Sequence, residues 1–209
     1  MKYKLVIFDF DGTLADSLAF FMETINLLAD QYKFKKITSK EADTLRGLDA
    51  KEVLHHLGLP LWKTPLVANS FREIMASKVD QISLFKDVPQ MLQKLSDRGI
   101  ILAIVTSNSL ENVHRILTND LVQLIDDLEC GTSLFSKQRR LKNILRKVNT
   151  VSLDEVIYIG DEIRDMDAAS AAGISFGAVC WGYTHADALI ARAPTMIFSS
   201  VDDIAEKLT

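Results

Sequence analysis

At 209 residues, 48% of them hydrophobic, the chain is long enough to bury a substantial core in one or two domains. Its 24 basic and 28 acidic side chains are interspersed, for a net charge of −4, which leaves no basic field for nucleic acid. Apolar runs too short for a membrane span, a start without a leader pattern, and only two cysteines, Cys130 and Cys180, lead us to expect a soluble cytoplasmic protein with neither a disulfide framework nor a zinc site.

The first element is an apolar strand over Lys4 to Phe8 that runs straight into Asp9, Phe10, Asp11 and Gly12. Residues 15–85 then read as helices only: Leu18 to Tyr32, Ser39 to Leu45, Ala50 to Leu57 and Thr64 to Val79. Beyond them, helical patterns over Val88 to Arg98, Leu110 to Thr118 and Gln138 to Val148 alternate with strands. The strands are Ile100 to Thr106, Val156 to Ile159 and Phe176 to Cys180, with weaker ones at Leu124 to Glu129 and Met196 to Phe198. Continuous apolar strands alternating with helices predict an α/β fold, a doubly wound parallel sheet covered on both faces. Residues 1–14 and 86–209 form that core, and residues 15–85 form an inserted all-helical domain or lid.

In such a sheet, ligands bind outside the carboxyl ends of the strands. Asp9 and Asp11 follow the first strand, and Asp161 and Asp165 follow the strand at Val156. Any one of these acids can be a helix cap. Four at one rim would repel each other unless a hard cation sat among them, and Mg²⁺ suits oxygen ligands that share the ion with a phosphate. Thr106, Ser107 and Asn108 follow a third strand just ahead of a helix, where hydroxyls and free N–H groups can hold an anion. Asn108 serves equally well as a cap. Lys137 precedes the helical pattern, where a cation opposes the helix dipole and needs another reason to be there. Arg139, Arg140, Lys142, Arg146 and Lys147 read as a solvated face of that helix.

Four segments arrive in order: DFDGT at Asp9–Thr13, VTSN at Val105–Asn108, SK at Ser136–Lys137 and GDEIRD at Gly160–Asp165. Together they resemble the haloacid dehalogenase superfamily, and within it the phosphatases of the phosphoglycolate phosphatase type with a helical cap. The resemblance implies that Asp9 is a nucleophile forming an aspartyl phosphate and that Asp11 is the general acid and then base. It implies Mg²⁺ held by the Asp9 carboxylate, the Asp11 carbonyl and Asp161, with Asp165 acting through water or by orienting its neighbours. Thr106 and Lys137, with N–H groups nearby and Ser107 beside them, would hold the phosphoryl oxygens. Asp11 would then carry a raised pKa. Gly12 and Thr13 serve the turn.

The expected substrate is a small phosphorylated metabolite, phosphoglycolate or a sugar phosphate, turned over by a monomer or homodimer. A phosphomutase of the β-phosphoglucomutase type and a non-catalytic binding protein are the alternatives. In capped relatives a loop at the place of Arg46 faces the site, so Arg46 is offered as the partner of a second substrate anion; an exposed charge at a helix end is the other reading of it. Trp181, Gly182 and Tyr183 follow a strand and are expected to line the entrance, with rim packing the other reading of Trp181.

Overall fold

The computed structural model describes residues 2–131 and 137–209, so Ser136 of the SK pair lies outside the described residues. In chain order the elements begin with β1 (Leu5–Phe8) and β2 (Ala15–Asp16). Four helices follow: α1 (Leu18–Tyr32), α2 (Ser39–Leu45), α3 (Ala50–His56) and α4 (Thr64–Ser77). Then come β3 (Ser83–Leu84), α5 (Val88–Asp97), β4 (Ile101–Val105), α6 (Leu110–Val122) and β5 (Asp127–Glu129). The chain closes with α7 (Lys137–Lys147), β6 (Val156–Gly160), α8 (Ile163–Ala172), β7 (Ser175–Val179), α9 (Ala186–Ile190), β8 (Met196–Phe198) and α10 (Val201–Leu208).

Six strands form one parallel sheet in the order β5-β4-β1-β6-β7-β8. Side chains alternate across it. Leu5 and Ile7 join Ala103, Val105, Val156 and Tyr158 in one apolar layer, closed by Leu141 and Ile144 of α7 and Ala168 and Ala169 of α8. Val6 and Phe8 join Leu102, Ile104, Ile157 and Ile159 in the other, closed by residues of α5, α6 and α10. Burial on both faces explains why these strands read as unbroken apolar runs. The chain leaves β1 for β4 and β5 on one side, then crosses to β6, β7 and β8 on the other. The reversal falls between β1 and β6, which places the carboxyl ends of both strands at a ligand-binding crevice.

The expected end of a helix at Thr118 marks a real break. Thr118 lies at φ 65°, outside the helical region, and the chain then turns helically again as far as Val122. One expectation needs amending: residues 15–85 are not purely helical. Ala15 and Asp16 pair antiparallel with Leu84 and Ser83, so the two connections to the helical insert run side by side as a short ribbon. Two-residue strands carry no periodicity, and only the pairing reveals them.

Within the insert, capping boxes at Thr38–Glu41 and Asp49–Glu52 start α2 and α3, and Pro65 occupies the first turn of α4. The helices enclose their own apolar cluster of Ile25, Leu28, Ile37, Leu45, Leu57, Leu59 and Val67. Asn26 of α1 fixes the link to α2 by pairing with both backbone groups of Ile37, donating to its carbonyl at 2.9 Å and accepting from its N–H at 2.7 Å. Asn26→Ala should strand both groups and destabilise the protein by about 1–3 kcal/mol, read as a lower denaturant midpoint at unchanged slope. An unchanged midpoint would show that Asn26 does not hold the insert together.

Candidate active site

The site begins where β1 ends. The Asp9 N–H still donates to Ile159 of β6 at 2.8 Å, as though the ladder continued. The backbone then turns sharply, with the Phe10 carbonyl accepting from Thr13, Leu14 and Ala15. Gly12 sits at φ +82°, a conformation that disfavours other residues. Asp9 is buried at the end of the strand, while Asp11, two residues on, is partly exposed and has different partners.

Asp9 meets Asp161 and Asp165 from the end of β6 and the start of α8. One carboxylate oxygen from each lies within 4.8 Å of the others, and all three residues are buried. Lys137, itself buried at the first position of α7, donates to Asp9 at 2.7 Å and to Asp165. Asp165 also accepts from the Tyr158 hydroxyl at 3.1 Å and from the Glu162 N–H at 3.1 Å. Asp161 accepts from the Thr13 hydroxyl at 2.6 Å and from the Tyr183 N–H at 2.7 Å.

Charge burial dominates the electrostatics. Burial and then Asp165 push the Asp9 carboxyl well up, against the pull of Lys137. Burial, with Glu162 and Asp165, pushes Asp161 up to about 7, although Thr13 and Tyr183 oppose it. Burial also works against the Lys137 ammonium, but Asp165 and Asp9 outweigh it and hold it above the ordinary lysine range. Three buried carboxyls share one ammonium, with a weaker pull from Arg164, so ionising all three is unfavourable without a further cation. This all-oxygen donor set fits a hard divalent cation such as Mg²⁺.

Asp11 is in different company. It accepts from the Asn108 side-chain amide at 3.1 Å, and burial holds its carboxyl above the usual range although Ser17 and Asn108 oppose the shift. The Asn108 N–H in turn donates to the Thr106 hydroxyl at 2.9 Å, and Ser107 faces the adjoining cavity. Thr106 is fully buried, and its carbonyl accepts from Arg140 at 2.8 Å. Arg140 therefore corrects the solvated-face expectation for its helix. It lies three residues after Lys137 and is buried with it, on the stripe that also carries Leu141 and Ile144. That spacing was the available signal.

Arg46 caps α2 and spans to the loop after β7, donating to the carbonyls of Tyr183 at 3.0 Å and Gly182 at 2.8 Å. The His185 N–H donates to the Arg46 carbonyl at 2.9 Å, so the contact runs both ways. In the same loop Trp181 donates to the Thr13 carbonyl at 3.1 Å, and the Tyr183 hydroxyl lies 2.9 Å from Ser17. The pairing of Asn108 with Asp11, and of Thr13 and Tyr183 with Asp161, was missed because each joins segments far apart in sequence.

Residues 6–179 match the family model for haloacid dehalogenase-like hydrolases. A phosphoglycolate phosphatase of Synechococcus elongatus is 29% identical over 207 residues, covering 99% of this chain and 97% of its own. In three dimensions the chain is similar to a haloacid dehalogenase-like family hydrolase of Streptococcus pneumoniae, with TM-score 0.80 at 20% identity over 100% of this chain and 99% of the other. It is also similar to protein tyrosine kinase A of Mycobacterium tuberculosis, with TM-score 0.78 at 26% identity over 99% and 98%. The phosphatase from Synechococcus is similar along nearly its whole length, and the family model reaches from β1 through β7. The chain belongs to the haloacid dehalogenase-like hydrolases.

Proposed function

We propose that the protein is a Mg²⁺-dependent phosphomonoesterase that hydrolyses a small phosphorylated metabolite through an aspartyl phosphate on Asp9. The observation that carries this reading is the different company of two acids two residues apart: a buried ammonium and two further acids meet Asp9, while a neutral amide meets Asp11. Lys137 supplies Asp9 with the positive charge that favours its ionised, attacking form, whereas Asp11 has the Asn108 amide and burial favours its protonated form.

In the first step an Asp9 carboxylate oxygen attacks phosphorus. The ester P–O bond breaks, and its electron pair leaves on the alcohol oxygen, which takes the proton of the Asp11 carboxyl. In the second step a water oxygen attacks phosphorus while Asp11 takes a proton from that water. The bond from phosphorus to Asp9 breaks, freeing the carboxylate and inorganic phosphate. Lys137 and the Thr106 hydroxyl, with Ser107 and the N–H groups that open α6, hold the phosphoryl oxygens. Bound Mg²⁺, held by Asp9, Asp161, Asp165 and the Asp11 carbonyl, would offset the repulsion between a carboxylate and a phosphate dianion. Asn108 orients Asp11 so that its proton faces the leaving group. Residues 1–14 and 86–209 serve as the catalytic core, residues 15–85 serve as the cap, and Arg46 sets the cap against the loop after β7. The name of the Synechococcus relative, a phosphoglycolate phosphatase, supports phosphate-ester hydrolysis.

Asp9→Asn should lower turnover of 4-nitrophenyl phosphate by at least about a thousandfold and abolish acid-stable labelling from a ³²P ester. Undiminished turnover would remove Asp9 from its role. Chelation should abolish activity, and Mg²⁺ should restore it; activity untouched by chelation would sink the metal assignment. Rapid isomerisation of a sugar phosphate in the presence of its bisphosphate, with slow hydrolysis, would favour the mutase.

Gly182 offers a separate check on the metal. A Cβ there would lie 2.1 Å from the Asp161 Cβ, so Gly182→Ala must displace that carboxylate. The Mg²⁺ concentration for half-maximal activity should rise by about 10–100-fold, as for other losses of support around a ligand. An unchanged requirement would show that Asp161 does not hold the ion.

A further inference from the structure

Between the insert and the core lies a cavity of about 660 Å³. One end opens on Asp11, Ser17, Asn108 and Lys137; the other runs into the insert among Phe21, Leu45, Leu54 and Phe71. Cavities of roughly 300–1,000 Å³ take up drug-sized ligands, a class far larger than phosphoglycolate with its two carbons.

The walls match the size. Aromatic rings line the neck, with Phe20 and Phe71 6.0 Å apart between ring centres, Phe21 and Phe71 5.6 Å, and Phe21 and Tyr183 5.3 Å. The Tyr183 hydroxyl reaches Ser17, beside Asp11, so the apolar wall starts at the acid that would protonate the leaving group. The guanidinium groups along the chamber each donate to a protein partner. Arg46 is on the carbonyls of Gly182 and Tyr183, Arg164 on Glu162 at 2.7 Å, and Arg72 on Asn69 at 3.2 Å. Lys51 is exposed at the outer mouth. Apolar side chains make up most of the lining within the insert, where water is readily traded for an apolar group.

We infer that the phosphate ester this protein hydrolyses carries an extended apolar body, an alkyl chain or aromatic ring of about six or more carbons, which this chamber takes up. The inference rests on the phosphomonoesterase reading above and names its substrate class. Phosphorus stays over the charged rim at Asp9, the ester oxygen lies at Asp11, and the hydrocarbon extends past Phe21 and Phe71 toward Leu54.

The test is kcat/KM of the intact protein with Mg²⁺ along n-alkyl phosphates from methyl to octyl, beside phosphoglycolate. Values should rise about three- to fourfold per methylene over the middle of the series, with phosphoglycolate no better than ethyl phosphate. A flat series, or phosphoglycolate above octyl phosphate, overturns the inference while leaving the phosphatase reading in place. Calorimetry of the same ligands on Asp9→Asn reads the chamber without chemistry. If no ester is hydrolysed but affinity still climbs with chain length, the phosphatase reading falls and the apolar site stands. Ala68→Phe puts a ring into the chamber from α4, away from the chemistry. It should flatten the series beyond butyl while methyl phosphate is turned over as before. An intact slope in that variant would place the chain elsewhere.

Discussion

Three carboxylates are buried against one ammonium, and the surrounding structure answers to that imbalance. An ionised acid taken out of water without a partner costs several kcal/mol, so each oxygen at this rim has to be accounted for. Lys137 takes Asp9 and Asp165, Tyr158 adds a hydroxyl to Asp165, and Thr13 and Tyr183 share Asp161. The requirement reaches well beyond the acids. It makes the first residue of α7 a buried lysine, and it puts a tyrosine hydroxyl inside a strand that is otherwise apolar. Only a parallel sheet with its reversal at β1 and β6 brings the necessary strand ends together.

The loop after β7 shows how tightly the cluster is enclosed. Side chains are excluded at Gly12 and Gly182, where a Cβ would lie 2.4 Å and 2.1 Å from atoms of Asp161. In return the loop supplies the Tyr183 N–H to that carboxylate and the Trp181 ring nitrogen to the Thr13 carbonyl. Its own carbonyls at Gly182 and Tyr183 receive Arg46 from the insert. A single short loop thus touches the acid cluster, the turn carrying Asp11 and the helical insert. Any displacement of the insert that breaks the Arg46 contacts acts on the segment that holds Asp161, a physical connection between insert and charge cluster.

Much of this was legible in sequence because two strong signals survive without coordinates. Strands buried on both faces leave unbroken apolar runs, and acids at the ends of two of them mark the rim; Asp9, Asp161, Asp165 and Lys137 do converge. What escaped depends on contacts between distant segments. Nothing local to Asn108 says that its amide reaches back ninety-seven residues to Asp11, and nothing in AD or SL announces a two-residue ribbon. Arg140 failed differently. Its helical spacing from Lys137, Leu141 and Ile144 placed it on the buried stripe, but its charge suggested solvent. A buried arginine is affordable there because the Thr106 carbonyl accepts from it.

The division of labour between the two layers turns on Asp11. On its core side the neighbours are charged and fixed: Asp9 on its lysine, Asp161 on its hydroxyl and N–H, Thr106 anchored by Arg140. On its insert side they are aromatic and aliphatic, beginning with Tyr183 and Phe21. Burial beside the apolar chamber favours the neutral form of the Asp11 carboxyl, and the Asn108 amide, which donates to it, works the other way. Two acids two residues apart thus stand in different surroundings, Asp9 among charged groups and Asp11 beside an amide and an apolar lining.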